Sequence, residues 1–300
     1  MSRVVQYAIV DGAIVTDLLD FLAELDPPHC CLYAEPLAQS MHSLAPYLIE
    51  ATPDVLSWLE SNTTPWGIFL YTPAMMKDVR HHLRKYLQIL LPSEEKPVFF
   101  RFYDPRNIWD VCLVLTDWEL HCFLGPIEKI ASINQGMWRE ESFLDQRAPF
   151  PKVSQGKFKL FKISQSQLDM LNQLAQEKYI DGLVLQTLQA YSEKITYGIQ
   201  NSEPSSPLHD RPSSGEQSPL PVTVADVVRK ISSDCFHFCQ ENGIEDDRSI
   251  RGMLHLLIEK DVFWIEKLPL PILGALSNTT LPGYYRVERL LKQELGYIPR

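Results

Sequence analysis

Glycine is scarce in this chain of 300 residues, 13 in all and thinly spread. No loop is rich enough in bare backbone to cradle a phosphate. Neither a P-loop pattern (GxxxxGK before Ser or Thr) nor a GxGxxG after a strand occurs. Basic residues are also in deficit, 28 Lys and Arg against 38 Asp and Glu, for a formal net charge of -10. The deficit is even: 15 basic and 20 acidic residues up to Ile163, then 13 and 18 after it. A duplex nucleic-acid binder needs a clustered positive face to displace counterions, so the charge argues against one and no nucleic-acid partner is expected. Stable association with an anionic membrane is disfavoured for the same reason. No apolar run approaches the roughly 20 residues that span a bilayer. The stretch from Met1 to Leu25, interrupted by Asp11, reads as neither a signal nor a transit peptide. The patterns GxSxG, HExxH and CxxC are missing too, and each is a mechanical requirement of the enzymes that use it. Six cysteines, two of them adjacent at Cys30 and Cys31, make no disulfide framework, which points to a reducing compartment and a cytoplasmic protein.

An apolar content of 45% is ample for a core. Up to Lys162, short β-rich runs alternate with amphipathic helical ones. Strands are expected at Gln6–Val10, His29–Tyr33, Pro46–Ile49, Trp66–Tyr71, Pro97–Tyr103 and His121–Leu124. Helices are expected at Thr16–Leu25, Pro53–Glu60, Arg106–Leu115 and Pro73–Leu90, the last with Thr72 as cap and Pro73 in the first helical position. This alternation predicts an α/β lobe, a mixed sheet flanked by helices, over residues 1–162. Beyond it the pattern is helical throughout. Ser164 and Gln167 form a capping box ahead of connecting helices over 163–200. Residues 201–221 hold five prolines among serines and charges and read as a flexible linker. An all-α bundle lobe follows over 222–300, its first helix capped by Thr223 and stopped at Asn242-Gly243.

Candidate chemistry is sparse. Cys235 and Cys239 lie one helical turn apart, but His237 points elsewhere and no second ligand pair is near, so core packing is the better reading and no metal is expected. No cofactor is expected either. His81 and His82, among Lys77, Arg80, Arg84 and Lys85, read as a solvated face or a local positive ridge for an acidic partner. Asp11 precedes Gly12 and reads as a turn residue. The most distinctive stretch is Phe99-Phe-Arg101-Phe-Tyr-Asp104-Pro-Arg106. As a strand it places Arg101 on a half-buried aromatic face, where the guanidinium needs a carboxylate or a stacked ring. Asp104 and Pro105 then open the next helix.

That stretch resembles the signature of the bacterial type VI secretion effector chaperones, the Tap/Tec adaptor family. Other segments match in order: Tyr7–Asp11 as an opening strand, Ala45–Leu48, Trp66–Leu70 as a central strand, His82–Arg84 on the helix before the signature, and Phe123–Ile127 as the strand after it. Lys162–Leu168 and Asn242–Ile244 extend the likeness into the helical part. The resemblance implies a cytoplasmic, non-catalytic protein that binds the N-terminal segment of a cognate toxin, keeps it soluble and helps load it onto a VgrG-type spike. The alternatives are a structural or regulatory part of the same apparatus, or a hydrolase-like α/β enzyme using Asp11 or Asp104. Partner-binding candidates are Arg101, Asp104, Arg106, Arg80 and Arg84 as a polar rim, with Trp66 and Trp109 as aromatic anchors.

Overall fold

The structure, a computed structural model, describes residues 4–34, 36–151, 160–202, 223–277 and 280–299. It divides into two compact units, Met1–Leu174 and Ala175–Arg300. The α/β lobe and the all-α region expected from sequence are both present.

In the first unit, β1 (Val5–Asp11) is followed by α1 (Leu18–Leu25), β2 (His29–Cys31), the short α2 (Gln39–His42), β3 (Pro46–Glu50), α3 (Pro53–Ser61) and β4 (Gly67–Thr72). Next come α4 (Met76–Leu83), β5 (Gln88–Leu90), β6 (Val98–Phe99), α5 (Ile108–Val114) and α6 (Asp117–Leu124). The hairpin β7 (Lys129–Asn134) and β8 (Met137–Glu141), α7 (Leu144–Arg147) and β9 (Phe161–Lys162) complete it. Six strands form one sheet in the order β2-β3-β1-β4-β7-β8, and every pairing in it is antiparallel. A small second sheet, β6-β5-β9, carries a parallel pair between β5 and β9.

The period of two in Tyr7-Ala-Ile-Val10 puts apolar side chains on both faces of β1. Tyr7 and Ile9 join Leu48, Ile68 and Leu70 beneath α4, α5 and α6. Ala8 and Val10 join Ile49 and Phe69 beneath α1 and α3. A sheet covered on both faces must hold its strand register, because a slip of one residue would exchange the two cores. Helix α3 forms as expected, with Pro53 at its start and the Thr52 hydroxyl accepting from Val55 N–H at 3.4 Å.

Five expectations about the first unit's elements are corrected. The helix from Pro73 to Leu90 is only α4, one further turn of tighter helix through Tyr86, and then strand β5. Thr72 is no cap: its hydroxyl donates to the Pro126 carbonyl at 2.6 Å and accepts from Ala74 N–H at 3.1 Å, closing a turn. Apolar Leu87–Leu90 suits helix or strand equally, and pairing with β6 and β9 decides it. The strand from Pro97 to Tyr103 is confined to Val98–Phe99, and Arg101 to Asn107 turn sharply. His121–Leu124, expected as strand, is the end of α6, nucleated by a capping box in which Thr116 and Glu119 bond reciprocally. Phe123–Ile127 is therefore a helix end and turn. The β7–β8 hairpin, which no expectation covered, turns on Gln135 and Gly136, both at positive φ (52° and 76°), the geometry of a two-residue type I′ turn.

His82 is also corrected. It is buried, not solvated: Nε2–H donates to the Phe123 carbonyl at 2.8 Å, and the ring fills space that a Cβ on Gly125 would need, 2.3 Å away. Burial pushes its imidazole down from 6.5 to about 4, against the pull of the Phe123 bond. The unfolded chain then takes up the proton more readily than the native one. His82 therefore supports the fold fully above pH 6.5, and that support is lost as pH falls toward 4, by roughly 3 kcal/mol in all. Replacing His82 with Gln, which keeps a donor for Phe123, should flatten the acid limb of stability by that amount. Urea midpoints at pH 7 and 4.5 check this, and an equal acid slope in both proteins would exclude His82 as the titrating group.

The second unit takes most of α8 (Gln165–Ser202), then α9 (Val224–Glu241), α10 (Asp247–Glu259), α11 (Leu270–Ser277) and α12 (Gly283–Leu295). The Ser164/Gln167 capping box is formed, and the connecting helices prove to be the single helix α8. Thr223 caps α9 reciprocally with Asp226, and the helix ends at Asn242 before Gly243 at φ 64°. Val228, Ile231, Cys235 and Cys239 of α9 pack with Met253 and Leu257 of α10 and Val287 and Leu291 of α12. Both cysteines are wholly buried and His237 is exposed. From residue 203 on, the expected linker at 201–221 lies outside the described residues. Among the described residues, no helix is long and apolar enough to cross a membrane, and no group of three His, Cys, Asp or Glu side chains could hold a metal.

Candidate protein-binding surface

The C-terminal end of β1 is held on both sides. Asp11 N–H donates to the Trp66 carbonyl at 2.8 Å and Gly12 N–H to Ala45 at 3.1 Å. The Asp11 carboxylate accepts from Ala13 N–H at 3.0 Å, so the expected turn exists. It has a second task as well: it forms an ion pair with the Arg101 guanidinium. The carboxylate partner that Arg101 required is thus Asp11, 90 residues away.

Arg101 reaches it because β6 ends early. Phe100 N–H still bonds Leu87 at 2.9 Å, and then Asp104 N–H turns back onto the Arg101 carbonyl at 3.1 Å. Phe102 and Tyr103 plunge into the core and anchor the turn from below. Asp104 accepts from Arg106 three times: backbone N–H at 3.0 Å, Nε at 2.9 Å and Nη2 at 2.6 Å. Asp104 sits a turn ahead of α5, whose cap is Asn107. Both carboxylates lie inside, 3% and 6% exposed, while their guanidinium partners Arg101 and Arg106 are 40% and 50% exposed. Acid below and cation above is the resulting polarity.

Burial pushes the Asp11 carboxyl up, partly offset by the Ala13 N–H and by Arg101. Burial pushes Asp104 the same way, but there the Arg106 bonds outweigh it and hold the carboxyl below its usual range. The lone pairs of both acids are engaged by fixed donors, which suits them to orienting the arginines.

Tyr33 is where further residues meet. Its carbonyl accepts from Arg80 Nη2 at 3.3 Å, and Arg80 Nε bonds the Cys31 carbonyl at 2.7 Å. The Tyr33 hydroxyl pairs with that of Tyr103, and its ring meets the half-exposed Phe99 edge-on at 5.0 Å. The structure thus brings Arg80 and Arg101 to Tyr33, whose ring meets Phe99, and couples Asp104 and Arg106 to the Arg101–Asp11 pair by charge. Arg80 acts as a staple on the chain after β2 and not as part of a loose ridge. Arg84 is exposed at the end of α4.

Trp66 and Trp109 are not surface anchors. Trp66 is 3% exposed and packs edge-on to Phe69 at 4.9 Å. Trp109 is 9% exposed, donates from Nε1 to Ser132 Oγ at 2.8 Å, and is covered by the Arg139 guanidinium 4.2 Å from its ring. Large aromatic area is more stabilising in a core than on a rim. Tyr33 and Phe99 escaped sequence reasoning as site residues because single aromatics carry no spacing signal.

The fold and site together define an α/β domain with an antiparallel sheet and an arginine-rich corner set in aromatic side chains. Residues 6–122, which contain all of that corner, match the family model described as Domain of unknown function (DUF4123). No curated protein and no solved structure matches the chain.

Proposed function

We propose that this protein is a cytoplasmic chaperone-adaptor of a type VI secretion system. It binds the N-terminal region of a cognate toxin, keeps it soluble and helps load it onto a VgrG-type spike. No catalysis and no cofactor enter this reading. The observation that carries it is the corner of Arg101 and Arg106, whose side chains are 40% and 50% exposed while Asp11 and Asp104 fix them from within, with half-exposed Phe99 two residues before Arg101. Guanidiniums held this way present preorganised donors for carboxylates and peptide carbonyls, and arginine beside aromatics is the usual composition of a binding hot spot. The DUF4123 match over residues 6–122 and the ordered signature segments support the same reading.

Co-expression with the product of the adjacent large gene, followed by size-exclusion chromatography, tests it. One stable complex is expected, with the partner insoluble alone. Two independent peaks and a soluble partner would remove the reading for that pair. Arg106→Gln retains the backbone donor to Asp104 but loses the two guanidinium bonds to this 6% exposed carboxylate. It should cost about 1–2 kcal/mol of stability and, in protein that remains folded, weaken the complex about tenfold. Unchanged affinity would take Arg106 out of the interface.

A further inference from the structure

Strand β8 ends the six-stranded sheet, and all five of its residues are exposed. The type I′ turn makes Asn134 and Met137 a hydrogen-bonded pair. Alternation then makes Ser132/Arg139 and Ile130/Glu141 bonded pairs, which turns the N–H and C=O of Trp138 and Glu140 outward. Among the described residues these outward groups meet no backbone partner. Natural edges are usually blunted by proline, a bulge, charged side chains or a covering loop. This edge carries the charges of Arg139, Glu140 and Glu141, which restrict what can pair with it, beside Met137 at 71% and Trp138 at 48% exposure.

We propose that the β8 edge is a docking site for an extended segment of a partner polypeptide, added as a seventh strand. The occupant is specified by charge. Arg139 lies over the Trp109 ring on one face. On the other, Trp138 contacts the Phe69 ring at 5.7 Å, and Glu140 bonds Lys129 at 3.0 Å beside Tyr71. A fitting strand places an acidic residue opposite Arg139, an apolar ring opposite Trp138 and basic residues opposite Glu140 and Glu141. A second copy fits less well. Symmetric antiparallel pairing centred on Arg139, Glu140 or Glu141 sets that charge against itself, and like charges directly opposite destabilise a ladder. Even centred on Glu140, where Arg139 meets Glu141, Trp138 faces Ser142 and no ring. Centres on Met137 or Trp138 run the pairing into the Gln135-Gly136 turn. This surface is distinct from the Arg101 corner and does not depend on the adaptor reading.

The test is hydrogen exchange on the full chain with a synthetic strand peptide of that charge pattern. Exchange at the Trp138 and Glu140 amides should slow at least about tenfold. Glu140→Pro removes one outward donor and no ladder bond, and should weaken the peptide about tenfold. Arg139→Glu should do the same, and a peptide with lysine in place of its acidic residue should restore binding to that variant. No slowing at saturating peptide, equal binding by Glu140→Pro, or failure of the charge swap would each overturn the proposal. A concentration-dependent dimer that Glu140→Pro abolishes would assign the edge to a second copy and overturn it too.

Discussion

Gly67→Ala is expected to leave no folded N-terminal unit. A Cβ at this position would stand 1.8 Å from the Ile9 carbonyl oxygen, with φ at +154°. Both atoms belong to the backbone of paired central strands, so no side chain can rotate away. Relief requires pulling β4 from β1, which breaks the Val10–Gly67 register and the bond from Asp11 N–H to Trp66. That sheet carries a core on each face, and separation exposes both. The cost should exceed roughly 4 kcal/mol, a large part of the stability of an ordinary domain. Gly136→Ala is the control: its Cβ meets nothing within 4 Å, and only the positive φ of 76° is strained, worth about 1–2 kcal/mol. Circular dichroism and urea titration of the two variants check this. A Gly67→Ala protein with the wild-type midpoint would mean that the strands are not held this closely in solution.

The second large effect concerns Arg101 and Asp11. Arg101→Ala leaves a carboxylate that is 3% exposed without its cation. Breaking a buried pair from one side costs about 3–5 kcal/mol. Arg101 is itself 40% exposed, so about 2–3 kcal/mol is expected here. The asparagine of Asp11→Asn can still accept from Ala13 N–H, and the double variant should regain most of the lost stability. Acid should rescue the single variant. Burial already raises the Asp11 carboxyl, and loss of Arg101 raises it further, so the neutral acid forms more readily in the native state than in the unfolded one. The defect therefore shrinks as pH falls through that raised value. Urea melts of the four proteins across pH measure this cycle. The stable double variant then isolates binding: under the proposed adaptor role it should fail to retain its partner although it folds. Full retention would make Arg101 a structural residue alone.

Much of the sheet was legible in short-range pattern. Gln6–Val10, Pro46–Ile49 and Trp66–Tyr71 alternate or run apolar between turn residues, and Thr52-Pro53 announces α3. The errors arose where two periods fit one run. Leu87–Leu90 continues a helical stripe yet pairs as β5, and His121–Leu124 looks β-rich yet lies downstream of a capping box at Thr116 and Glu119. That box was readable and outweighs the composition of the run it starts. The β7–β8 hairpin lacked the Asn-Gly or Asp-Gly dipeptide that signals such turns, since Gln135 takes the first position. At the corner, the need of Arg101 for a carboxylate could be stated from its aromatic surroundings. Which carboxylate answers it could not, because Asp11 already had a local role in its turn and no spacing rule links residues in separate strands.

The Asp11–Arg101 pair also sets an order of events during synthesis. Asp104 and Arg106 are neighbours and can find each other as soon as both leave the ribosome. Asp11 must wait for a residue 90 positions later, roughly 5 to 20 seconds at ordinary rates of translation. Contacts of such long sequence separation close late in folding. The cationic corner therefore comes into being in one step, when the sheet is closed and the chain has passed Arg101. A nascent or truncated chain short of Arg101 holds the Asp11 carboxylate without its cation, and Asp104 and Arg106 are not yet made.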